Sequence, residues 1–143
     1  MNLNWKNILI SAIVGGVLLL VVTFAADFIA TLFAPYSFMD LGGMRAMDDP
    51  VMALYFLYPF VLALMAGIVF DIVKDSIKGE SPCHRGIVFG AILFLLLVIP
   101  EFWLLYTSMD YPTGFYISAV LSGIIAYPLM GIAYVKIWEK FSR

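Results

Sequence analysis

Residues 86–106 read GIVFGAILFLLLVIPEFWLLY, an apolar run interrupted by one charge, Glu101, directly after Pro100. About 20 apolar residues at 1.5 Å each match the ~30 Å hydrocarbon core of a bilayer. The run lacks the period-2 alternation of a barrel strand, so it reads as a membrane-spanning helix. A carboxylate costs ~2.5–3.5 kcal/mol at the bilayer midplane and less toward the interface, which makes Glu101 the most informative residue of the span.

The rest of the chain fits that solvent. Of 143 residues, 64% are hydrophobic and 13% charged. Soluble domains average ~45–50% apolar and ~25% charged, and a chain this short cannot hide so much apolar surface in a water-soluble core. The net charge of −2 points away from a nucleic-acid partner. A single cysteine, Cys83, excludes an intrachain disulfide and a Cys-x-x-Cys redox motif.

Three further apolar runs, residues 8–33, 51–73 and 113–138, are each long enough to cross a membrane. The first is too long for the ~7–15-residue core of a signal peptide and is expected to be retained. The expected fold is therefore all-α: one integral membrane domain over residues 1–143, a four-helix transmembrane bundle with N-in/C-in topology. In the first connection, 34–50, Gly42-Gly43 is a breaker and Asp49-Pro50 a helix start. Met44, Met47 and Met52 suggest a short amphipathic piece lying on the membrane there. The second connection, 74–85, is polar and broken by Gly79 and Pro82; the third, 107–112, is short.

Charge sets the expected orientation. Lys6, Lys74, Lys78, Arg85, Lys136, Lys140 and Arg143 fall at the two termini and the second connection, which share one side of a four-span protein. Arg45 alone lies on the other, together with Asp40, Asp48, Asp49 and Asp110. The positive-inside rule places both termini in the cytoplasm of a multi-pass cell-membrane protein. Trp5, Trp103 and Trp138, with Tyr36, Tyr55, Tyr106 and Tyr111, mark the interfaces.

A faint internal repeat is visible. Gly16 precedes Asp27-Phe28 by the interval that separates Gly90 from Glu101-Phe102, and MAGIVFDIVK at 65–74 resembles MGIAYVKIW at 130–138. It suggests two tandem helical hairpins related by an axis along the membrane normal.

Asp27 and Glu101 are the residues most able to carry chemistry. Neither should face lipid. Three readings are open. The pair lines an outward-facing cavity and binds a cation, carries protons or holds a polar ligand, with Tyr55, Tyr58, Tyr106 and Tyr116 around it. Or both carboxylates sit at headgroup depth, solvated or hydrogen-bonded to Tyr and Thr. Or one pairs with Arg45. Pro59, Pro100 and Pro128 interrupt three spans as static kinks or as hinges for alternating access. Gly86-xxx-Gly90, Ala119-xxx-Gly123, Ala63-xxx-Gly67, Ser11-xxx-Gly15 and Ala12-xxx-Gly16 mark close helix contacts, within one chain or across a homo-oligomer seam. Asp71, Lys74, Asp75 and Lys78 read as a solvated helix end, with a lipid-headgroup role for the lysines as the lesser alternative.

Cys83-His84 is one adjacent pair, short of the three or four ligands a metal needs. No nucleotide motif and no nucleophile–base pair is visible, so neither an enzyme nor a cofactor is expected. NWKNILISAIVGGV near the start, MRAMDDP in the outer loop, RGIVFG opening the third span and GIAYVKIW near the end resemble a group of small uncharacterised four-span membrane proteins of bacteria and archaea. The resemblance implies a four-helix membrane domain and no functional residue. Two functions follow as expectations: binding or transport through an outer carboxylate site, or a structural or assembly subunit of a membrane complex.

Overall fold

A computed structural model describes residues 3–43, 45–46 and 48–141. Among the described residues the fold is all-helical, and four helical stretches are long and apolar enough to span a bilayer: Trp5–Phe33, Pro50–Val73, Pro82–Ser108 and Thr113–Phe141.

Helix α1 (Trp5–Phe33) begins at Asn4, whose side chain accepts the Asn7 N–H as an N-cap. The second span is composite. Pro50–Leu57 is a 3-10 segment, and the α-helix proper, α2, is Tyr58–Val73. Pro59 explains the change. It has no N–H to give the Tyr55 carbonyl, and its ring would strike that carbonyl in a continuous α-helix. Tyr58 instead donates its N–H to Tyr55 one residue tighter, so the proline lies in the first turn of α2. Met52 is buried in the 3-10 segment, while Met44 and Met47 of the expected amphipathic piece lie outside the described residues.

The third span starts earlier than expected. Pro82 does not break the connection but opens α3 (Pro82–Leu93), with Ser81 as N-cap accepting the His84 N–H at 3.1 Å. A π-turn, Phe94–Val98, then leads into α4 (Ile99–Ser108), with Pro100 in its first turn. The wider turn takes up the hydrogen bond that Pro100 cannot make. Helix α5 (Thr113–Phe141) runs through Pro128 without interruption.

Glycines set the packing. Helix α1 packs against α2 and α5, and α3 packs against α5. A Cβ on Gly86 would meet the backbone of Ile132 and Gly131; one on Gly90 would meet Tyr127 and Pro128. The α3–α5 seam is thus backbone against backbone, with Gly90 against Tyr127 and Pro128. A Cβ on Gly67 would stand 3.6 Å from the Ile8 carbonyl, and one on Gly16 would meet the Phe60 ring. These glycines pack inside one chain. The two hairpins of the faint repeat pack alike, but the bundle does not close alike: the backbones of α2 and α3 stay apart.

Large aromatics fill that gap at one end. Phe70 meets Phe89 and Trp138 edge-on with ring centroids at 5.0 Å, and Tyr134, fully buried, donates its hydroxyl to the Ala63 carbonyl at 2.6 Å. At the other end α4 buries no residue at all. The molecule is closed at the end that carries both termini, where Lys6 lies 5.2 Å from the Phe141 ring, and splayed at the end that carries Glu101.

Candidate functional site

The splayed end holds most of the residues singled out in the sequence. At 1.5 Å per residue, Asp27 lies about 9 Å below the end of α1 and Glu101 about 10 Å below the end of α4. The helices that carry them are ~40–44 Å long against a ~30 Å core; centred and upright in it, they would put both carboxylates a few Å inside the hydrocarbon boundary. That depth costs less than the midplane, but it is not free.

Asp27 is half-buried, and its Oδ1 accepts a hydrogen bond from the Tyr36 hydroxyl. Tyr36 reaches it because the chain after α1 folds back over α5, and Gly114 makes room. A Cβ there would meet the Ala34 carbonyl and the Tyr36 ring. Ser118, buried one turn further along α5, lies beside the same hydroxyl. Burial, and then the Asp27 hydrogen bond and charge, push the Tyr36 hydroxyl up from 10.0 to about 12.

Glu101 is exposed on α4 and makes no hydrogen bond or ion pair to another described residue. It does not touch Asp27. Two tyrosines link them electrostatically: Tyr55 lies within reach of Asp27, and Tyr58 within reach of Tyr55 and Glu101. Tyr127, buried on α5, also feels Glu101. Arg45 is bound elsewhere. Its Nη1 donates to Asp49 Oδ2 at 2.8 Å in an exposed i,i+4 pair. That hydrogen bond, followed by the Val51 N–H, holds the Asp49 carboxyl below its ordinary range. Tyr116 caps α4, donating to the Met109 carbonyl at 2.9 Å and the Leu105 carbonyl at 3.2 Å. Tyr106 stacks on Phe102 at 5.8 Å. Asp27, Tyr55, Tyr58 and Glu101 are therefore linked electrostatically in series, while Arg45 pairs within its loop, Tyr116 braces the end of α4 and Tyr106 stacks on Phe102.

The sequence reading missed the polar centre of the closed end. Asp71 is not a solvated helix end but 7% exposed. Its Oδ2 accepts the Asn4 N–H at 2.8 Å, and its Oδ1 accepts the Trp138 indole N–H and the Lys74 ammonium, each at 2.8 Å. One carboxylate thereby ties the start of α1 to the ends of α2 and α5. The signal was present: Ala63, Gly67 and Asp71 follow one another at four-residue spacing, so the residue continues the small face of α2 that packs inward.

Among the described residues no group of three or more His, Cys, Asp and Glu gathers to hold a metal. No family model matches the chain, and no curated protein and no solved structure matches it.

Proposed function

We propose that this is an integral membrane protein, both termini cytoplasmic, that binds a small cation or proton, or a polar ligand carrying a cationic group, at the splayed outer end. The observation behind this reading is a charge imbalance inside the spans. Asp27 and Glu101 flank one tyrosine pair, and the one basic residue of that end, Arg45, is engaged by Asp49. Intramembrane carboxylates with no counter-ion are functional candidates by default. Asp27 Oδ2 and the whole Glu101 carboxylate are free to accept from a ligand, with tyrosine hydroxyls between them. Flux through the bilayer would require the closed end to open, and Asp71 is the bond set that opposes it.

The test is cation binding and flux in proteoliposomes. Asp27→Asn and Glu101→Gln are each expected to weaken binding about tenfold or more, the scale of one lost charge contact. An unchanged double variant overturns the proposal.

A second reading, an assembly subunit of a membrane complex, is favoured by α4. Its Trp103 and Leu104 are 71% and 63% exposed, and no residue of it is buried. A partner helix on that face would be lost with Trp103→Ala. Gly90→Leu and Gly123→Leu cannot report on it, because both residues lie in internal seams.

A further inference from the structure

At the closed end, a cleft of about 190 Å³ is lined by Phe70, Ile77, Val135 and Trp138 below and by Lys74, Asp75, Arg85 and Glu139 at the rim. It is smaller than the ~300–1,000 Å³ pockets that enclose drug-sized ligands. It opens where α2 ends and α3 begins, at the closed end of the spans, above the seam where their backbones stay apart. From the geometry we infer that this cleft holds the headgroup of an aminophospholipid, with the acyl chains lying along the α2–α3 seam.

The charges select the headgroup. The rim carries two cations and two anions. Lys74 gives hydrogen bonds to the Asp71 side chain and carbonyl, and Arg85 gives one to Glu139 at 2.6 Å. Each cation retains N–H groups for a phosphate. Asp75 is exposed, and Glu139, 42% exposed, keeps acceptor sites for a primary ammonium. An anionic headgroup would satisfy the cations but meet two carboxylates. A choline headgroup brings the positive charge without N–H donors. Phosphoethanolamine supplies both halves, over an aromatic floor that suits an ammonium. The site is distinct from the outer carboxylates and does not depend on their function.

The test titrates the purified protein in detergent with phosphatidylethanolamine, phosphatidylcholine and phosphatidylglycerol of identical short chains, counting bound lipid by native mass spectrometry. Phosphatidylethanolamine is expected to bind about tenfold tighter than the other two, as one or two charge-assisted hydrogen bonds require. Arg85→Gln should weaken it by a similar factor. Asp75→Asn with Glu139→Gln should move the preference to phosphatidylglycerol. The Asp75 substitution alone leaves every observed ion pair intact, so loss of the ethanolamine preference there is not a folding defect. Equal binding of the three lipids, or an unaltered order in the double variant, overturns the inference. So does displacement by free phosphoethanolamine at lipid-like concentrations, which would assign the cleft to a soluble ligand.

Discussion

Two side chains show how a carboxylate is read differently once its neighbours are known. Asp27 keeps one oxygen on Tyr36 and one free, whereas Asp71 is held from three directions. Replacing Asp71 by Ala leaves a buried indole N–H and a backbone N–H without an acceptor. The expected loss is about 3 kcal/mol, the lower end for breaking a buried charged network because Lys74 is partly exposed. Thermal unfolding in detergent, followed by indole fluorescence, measures it. At the outer end, the Tyr36 hydroxyl titrates near 12 rather than 10.0. The folded state therefore holds this proton more tightly than the unfolded chain does. The contribution is intact below pH ~10 and is lost as pH rises through ~12. A phenolate absorbance titration of the wild type minus Tyr36→Phe should isolate one late-titrating tyrosine. Asp49 runs the other way: its depressed carboxyl stabilises the outer loop above pH ~4, and that contribution fades as pH falls through its folded value.

Prolines and glycines decide the elements. Pro59 turns the first two turns of the second span into a 3-10 segment, and Pro100 follows a π-turn. Pro59→Ala restores an N–H that can bond the Tyr55 carbonyl, so α-helix should extend back toward Pro50, raising helical circular dichroism and moving Tyr55 and Tyr58 off the opening. Ligand binding at the outer site would fall with it. Gly90→Ala meets backbone on α5 rather than a side chain able to swing away. The expected cost is about 1–3 kcal/mol, as for other overpacked contacts, read as a lower unfolding midpoint. Gly42, with no atom near its Cβ position, should accept Ala at no measurable cost.

For the molecule as a whole, the asymmetry between a closed basic end and a splayed acidic end is the property that function must use. Its orientation is testable with the native chain. Cys83 is the single cysteine and is exposed at the basic end. A membrane-impermeant maleimide should label it in inverted vesicles and leave it unlabelled in intact cells; the reverse result would invert the topology. Four spans, the side shared by the termini and the tight glycine seams were legible in residues 86–106 and their counterparts, because run length, charge position and small-residue spacing are local properties. Even the start of α3 at Ser81-Pro82 and the inward face of Asp71 were written in local spacing, though they were read as loop and as solvated surface. What the linear order could not contain is which seams close. Helices α2 and α3 are adjacent in the chain, yet their backbones remain apart, while α1 and α5 at its two ends pack together. That choice follows from the summed fit of glycine against backbone and ring against ring across the whole bundle. It brings Tyr55 and Tyr58 within electrostatic reach of Asp27 and Glu101, and leaves the cleft beneath Lys74 and Arg85.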